Sequence, residues 1–197
     1  YVTHSADEMT RLADKLVVMA DGKVRREGPL AEVLADVKMP IETENGASVV
    51  LSGKVSSLSS EWKTCCIDAG GWTFETPTAS LAMGSQVRLR VLARDVSIAV
   101  EKPDSISIRN RLQAEVEEIA AHPSEPAYQL VKLKCPNGEG RLVSRILRQS
   151  VTELGLHSGS QVWALVKASA FLRKFPSGGC CSMKDQQRRA SSTALPI

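Results

Sequence analysis

Two short stretches of this 197-residue sequence are rich in hydrogen-bond donors. Ser107-Ile108-Arg109-Asn110 offers a hydroxyl, a guanidinium and an amide within four residues. Lys167-Ala168-Ser169 offers an ammonium, a hydroxyl and free backbone N–H groups at an expected strand break. All of these groups donate and none is acidic, which is what an oxyanion carrying only acceptor oxygens requires. The plainer alternative makes Arg109 and Lys167 solvated strand-end charges and Asn110 a turn former. Catalytic constellations are scarce. His4, His122 and His157 lie far apart in sequence, with no H-E-x-x-H and no G-x-S-x-G around them. No G-x-x-x-x-G-K-[ST] occurs, so the chain has no phosphate-cradling loop of its own. The cysteines stand as Cys65-Cys66, Cys135 and Cys180-Cys181, an odd number without a C-x-x-C. That argues for reduced thiols over a disulfide framework or a zinc site. Cys65 and Cys66 are expected on opposite faces of one strand.

The elements that must position these groups change character along the chain. Tyr1-Val2-Thr3 reads as the end of a buried strand. Ser5 and Glu8 form a capping box for a short helix with Met9, Leu12 and Ala13 on its apolar face. Leu16–Met19, Asp21-Gly22 and Lys23–Arg25 read as a hairpin, and Pro29 suits the first turn of a helix reaching about Leu34. Residues 37–47 lack periodicity and read as a linker. From Ser48 to Phe175 apolar residues alternate or run in short bursts between Gly, Pro and Asn, the pattern of small antiparallel barrels or sandwiches.

A repeat organises that second part. Gly84-Ser85-Gln86-Val87 recurs 75 residues later as Gly159-Ser160-Gln161-Val162, and Gly53-Lys54-Val55 resembles Ala114-Glu115-Val116 at an offset of 61. The extra length of the second copy fits a loop at His122–Pro126 and a short helix capped by Ser150 and Glu153, stopped at Leu154-Gly155. Two tandem β-modules follow, over 48–101 and 104–175. The first lacks the donors: Leu92-Ala93-Arg94 stands where the second has Lys167-Ala168-Ser169, and Gly46-Ala47-Ser48-Val49 where it has Ser107–Asn110. Residues 176–197 are Ser-, Gln- and Gly-rich and read as a disordered tail.

Charge and length exclude several classes. The net charge of +3 comes from 25 basic and 22 acidic residues, of which five basic and one acidic fall in 173–197, leaving 20 against 21 in 1–172. A neutral body argues against nucleic-acid binding through a basic face. No apolar run approaches the roughly 20 residues of a membrane helix. The first residue is Tyr rather than Met, which reads as the middle of a larger protein.

These residues also carry a family resemblance. Tyr1–Glu8, Leu12–Met19, Asp21-Gly22-Lys23 and Glu27-Gly28 resemble the end of an ABC-transporter ATPase domain, over about residues 1–36. Ser107–Asn110, Ser150-Val151 with Leu154-Gly155-Leu156, and Val162–Ser169 resemble the Mop molybdate-binding domain. Val87–Val96 is similar to the module that precedes it in the ATP-binding subunit of molybdate importers. The resemblance implies a mainly β chain: two tandem OB-like barrel modules of Mop/TOBE type after a short α/β remnant of the ATPase domain. It implies oxyanion contacts at Ser107, Arg109 and Asn110 from one segment and Lys167, Ala168 and Ser169 from the other, brought together between subunits. It makes His4 the switch histidine of a complete ATPase, facing the γ-phosphate of ATP bound with Mg. The P-loop, Q-loop, signature and Walker B motifs would precede Tyr1, so this chain alone is not expected to hydrolyse ATP, and residues 1–36 are expected to be poorly ordered. Where the family often has Thr before its helix cap, this chain has Leu147.

The implied function is a share in molybdate import: a regulatory Mop module binding molybdate, or tungstate of the same shape and charge. Implied partners are a second copy of the chain and a membrane permease, with no nucleic acid. The implied location is cytoplasmic, peripheral on the inner face of the plasma membrane. Alternatives are a stand-alone molybdate or tungstate storage or regulatory protein, and an accessory domain of an importer for another cargo such as sulfate.

Overall fold

A computed structural model of the chain describes residues 1–3, 5–38, 41, 46–78, 81–168 and 171–176. The N-terminal part runs α1 (Ala6–Leu12), β1 (Lys15–Ala20), β2 (Lys23–Pro29) and α2 (Leu30–Leu34). The next part runs β3 (Ser48–Ser59), β4 (Thr64–Ala69), β5 (Trp72–Pro77), β6 (Gln86–Leu92), a 3-10 turn at Ala93–Asp95 and β7 (Val96–Ala99). Then come β8 (Asn110–Ala121), β9 (Tyr128–Lys134), β10 (Arg141–Leu147), α3 (Arg148–Glu153), β11 (Gln161–Val166) and β12 (Phe171–Pro176). The chain is mainly β: among the described residues β1 and β2 form a two-stranded antiparallel sheet, and the other strands form two curled five-stranded antiparallel sheets of OB type.

The Gly-Ser turns build the two sheets alike. Gly84 and Gly159 both have positive φ, +79° and +91°, a conformation that glycine adopts without steric cost. Gly84 N donates to Val55 O and Val55 N to Ser85 O, at 2.9 and 3.0 Å. In the second copy Gly159 N donates to Val116 O and Val116 N to Ser160 O, at 2.8 and 2.9 Å. Immediately after these valines each long strand slips register, between Val55 and Ser57 and between Val116 and Glu118. Such a bulge bends a strand and lets the sheet curl.

The sheets exchange their last strands. One has the order β12-β6-β3-β4-β5 and the other β10-β9-β8-β11-β7. β7 leaves the segment 48–101 to pair with β11, and β12 leaves 104–175 to pair with β6. Each contiguous module read from the repeat therefore gives its closing strand to the other sheet. The break at Ala93 redirects the first crossing: Ala93 N is held by Ala47 O at 2.9 Å and the 3-10 turn carries the chain away from β6.

A single apolar cluster spans both sheets, with Ile67, Phe74 and Leu89 from one and Leu133, Leu142 and Val162 from the other. Two hairpin tips also meet. Gly140 N donates to Gly70 O at 2.8 Å, and a Cβ on Gly138 or Gly140 would lie 2.4 or 2.5 Å from that oxygen. Only glycine permits this approach.

Residues from α1 to α2 dock on the first sheet. Leu30, Leu34 and Val50 are buried together, with Met9, Ala13, Leu16 and Ile41 against them. Arg88 of β6 donates to Ala13 O at 3.0 Å and pairs with Asp14. The helix-capping reading of Ser5 fits: its hydroxyl accepts from Glu8 N at 3.4 Å. Three other expectations need correction. Tyr1–Thr3 form no strand, and Tyr1 and Val2 are exposed, because no neighbouring strand lies beside them among the described residues. Pro29 caps α2 from outside as its N-cap. α3 starts at Arg148, two residues before Ser150, with Leu147 at the N-cap and no side-chain cap; Arg148 N is satisfied by Ala127 O at 2.9 Å. Gly155, with φ +61°, follows that helix as expected. Cys65 is buried and Cys66 half-buried on successive positions of β4. The tail beyond Pro176 lies outside the described residues.

Candidate functional site

The pairing of β8 with β11 brings the two donor segments together. Its register runs from Gln161 opposite Glu115 to Val166 opposite Asn110. Arg109 and Lys167 are the next residues outward on these adjacent strands. Both are exposed, Ala168 is half-buried beside Lys167, and Ser107 is exposed in the loop entering β8. That loop is tied down: Arg111 donates to Pro103 O at 2.9 Å, and Lys102 lies 5.4 Å from the centre of the Trp163 ring. His4 and Ser169 lie outside the described residues.

Asn110 is oriented inward. It is buried, its Oδ1 accepts from Glu75 N at 2.6 Å and its Nδ2 donates to Glu75 O at 3.0 Å. Its amide thus binds the backbone of β5, in the other sheet. Arg109 Nε donates to Glu75 Oε2 at 2.9 Å, with the arginine side chain 68% exposed and the glutamate 26%. Trp72 Nε1 adds a bond to Gln113 O at 2.7 Å along the same seam. The donor end of the second sheet is therefore braced by β5 of the first. Glu75 is the residue that sequence reasoning does not single out. It lies 34 positions before Arg109 on another sheet, and no local spacing signals the contact.

The matching end of the first sheet has different chemistry. There β3 pairs with β6, Val49 opposite Val91 and Ser48 opposite Leu92. Ser48 holds the place of Arg109, and buried Leu92 the place of Lys167. The nearby Arg90 is buried and donates to Ser48 Oγ at 3.1 Å, so its charge is turned away from solvent. The paired end positions thus display positive charge in the second sheet only; in the first, the exposed cation is Arg94, two residues beyond Leu92 in the 3-10 turn.

Elsewhere in the second sheet, the ammonium of Lys134 and then the amide of Gln161 hold the Glu115 carboxyl below the usual carboxylate range. Lys134 Nζ lies 2.8 Å from Glu115 Oε1. Among the described residues no group of three or more His, Cys, Asp or Glu gathers as a metal site. No helix among them is long and apolar enough to cross a membrane.

The curled β-module matches a known family: residues 106–172 fit the family model of the TOBE domain. Over most of its length the chain is similar to ATP-binding proteins of molybdenum import. It is 37% identical over 172 residues to the molybdenum import ATP-binding protein ModC of Methylococcus capsulatus, covering 87% of this chain and 48% of that protein. With ModC of Brucella abortus strain 2308 it shares 40% identity over 168 residues, covering 85% of this chain and 45% of the relative. The chain spans about half the length of the curated relatives it matches. In three dimensions it is similar to a crystal structure of the cytoplasmic molybdate-binding protein ModG with molybdate bound. That match has a TM-score of 0.55 and 26% identity, and covers 64% of this chain and 95% of the other.

Proposed function

We propose that this chain is the oxyanion-sensing part of the ATP-binding subunit of a molybdate importer, with molybdate bound at the β8–β11 end. The register that sets Arg109 beside Lys167 carries the reading. A tetrahedral dianion offers only acceptor oxygens, and charge-assisted N–H bonds from guanidinium and ammonium are the strong way to hold it. Arg109 and Lys167 supply the charge, Ser107 and Ser169 supply hydroxyls, and Ala168 supplies its backbone N–H. Asn110 serves by fixing the strand end. A second copy of the chain completes the site across a subunit interface. In the complete subunit, His4 would meet the γ-phosphate of ATP with its Mg, and a membrane permease would hold the subunit on the cytoplasmic face.

A second reading is a free molybdate-binding protein for storage or regulation. It is supported by the likeness to ModG, 95% of which is covered. Sequence upstream of Tyr1 separates the two, since a P-loop there marks a transporter subunit.

The test is calorimetric titration of the full chain with molybdate, tungstate and sulfate, together with Arg109→Ala and Lys167→Ala. Molybdate binding that both variants weaken supports the reading. Absence of binding by any of the three anions removes it.

A further inference from the structure

Arg109 is gripped from outside its own sheet, and only at one end of its guanidinium. Nε donates to Glu75 Oε2, and among the described residues no second partner engages Nη1 or Nη2. Glu75 is itself immobilised. Its N–H and C=O are both bonded by the Asn110 amide, and its Oε1 accepts from Thr64 Oγ1 at 3.3 Å. A carboxylate that takes Nε leaves the Nη pair as a free, oriented fork. An exposed arginine otherwise samples many rotamers and loses that freedom on binding.

We infer that Glu75 is a positioning residue for the oxyanion site: it holds Arg109 through Nε so that Nη1 and Nη2 face the anion, and Asn110 fixes Glu75 in place. The inference rests on the oxyanion reading proposed above. Glu75 also carries a negative charge close to an incoming dianion, and that repulsion opposes binding. The two effects separate when two uncharged variants are compared. Glu75→Gln keeps an oxygen acceptor for Nε, whereas Glu75→Ala keeps none. Repulsion is absent from both, so the difference between them reports the grip alone.

The experiment is titration of the full chain with sodium molybdate, for the wild type, Glu75→Gln and Glu75→Ala. Glu75→Thr serves as a second short variant, compatible with a strand should the alanine protein unfold. The expected result is that Gln binds about three- to tenfold more tightly than Ala or Thr, the cost of ordering one long side chain. A general structural defect would not be rescued by Gln in this way. Equal affinities of the Gln and short variants overturn the inference, whether both exceed the wild type, as mere repulsion would give, or match it. If neither the wild type nor the Gln protein binds molybdate, the oxyanion reading itself falls and takes this inference with it.

Discussion

The two sheets share a turn, a bulge and a valine that makes the same pair of backbone hydrogen bonds, yet only one carries cations at its paired end positions. Ser48 and Leu92 close the first sheet where Arg109 and Lys167 open the second. The first end is covered by chain, with Leu92 buried and Ala93 bonded to Ala47. The second leaves its charges exposed. Identical backbone machinery can thus end in a buried leucine in one copy and in exposed cations in the other. The difference lies in a few side chains at the strand ends.

The comparison can be broken first at the core. Phe74 and Leu142 occupy corresponding positions, opposite Ile67 and Leu133 beside the two bulges, and both are fully buried. Phe74→Ala should cost about 3–5 kcal/mol and Leu142→Ala about 2–5 kcal/mol. Because one apolar cluster contains both, each loss should lower the same single urea transition, followed by tryptophan fluorescence and circular dichroism. Two separable transitions would show that the sheets are energetically independent.

The strand ends come next. Arg109→Ala and Lys167→Ala should each weaken molybdate binding about tenfold to a hundredfold, the range for a hydrogen bond to a charged group. Arg94→Ala, at the first sheet's corresponding break, should change the titrated affinity by less than about twofold, since a solvated charge contributes little. A comparable loss at Arg94 would place a second anion site on the first sheet.

Where the sheets touch, Gly140→Ala forces a Cβ to within 2.5 Å of Gly70 O. Such overpacking should cost about 1–3 kcal/mol, read from the unfolding midpoint. Gly155→Ala has open space around its Cβ and should carry only the strain of its positive φ.

Much of this comparison is legible in the amino-acid sequence. The Gly-Ser-Gln-Val repeat is, because a turn at φ of +79° to +91° strongly favours glycine and the following strand keeps its alternation. The pairing of 55 with 116 is legible through the same repeat. The exchange of β7 and β12 is not, since nothing at Ala93 or Ala168 says which sheet the next strand will join. Glu75 is hidden for the same reason: its contact with Arg109 exists only once β5 has packed against β8. The Ser150 capping box misleads because a neighbouring carbonyl, Ala127 O, already satisfies the first N–H of α3. The cationic character of the site, by contrast, is written in adjacent residues and needs no fold to be seen.

Smaller effects test how firmly the N-terminal segment belongs to this assembly. Arg88→Ala removes its bonds to Ala13 and Asp14, a partly exposed clasp contributing at most about 1 kcal/mol. Amides of β1 and β2 should then exchange faster while those of the two sheets are unchanged. Uniform acceleration would mean that Arg88 supports the first sheet itself. The slightest effect concerns pH. Lys15 lowers the carboxyl of Glu27 as Lys134 lowers that of Glu115. A depressed carboxylate stabilises the fold above its unfolded value and loses that contribution as pH falls through the folded one. The unfolding midpoint should therefore drop slightly on acidification below the ordinary carboxylate range. Glu27→Gln and Glu115→Gln should each flatten that slope.

The crossing of β12 to β6 also has a consequence for how the chain is made. The second sheet is drawn from one uninterrupted stretch, 96–166, and can be complete as soon as that stretch leaves the ribosome. The first sheet waits longer. Its β6 edge is exposed until Phe171–Pro176 emerge, with a whole sheet synthesised in between. An unpaired edge is a template for pairing with other chains. The hazard of the nascent protein therefore lies with the part that lacks the cationic end, and a chain stopped short of Phe171 would carry that end intact and its supporting sheet open.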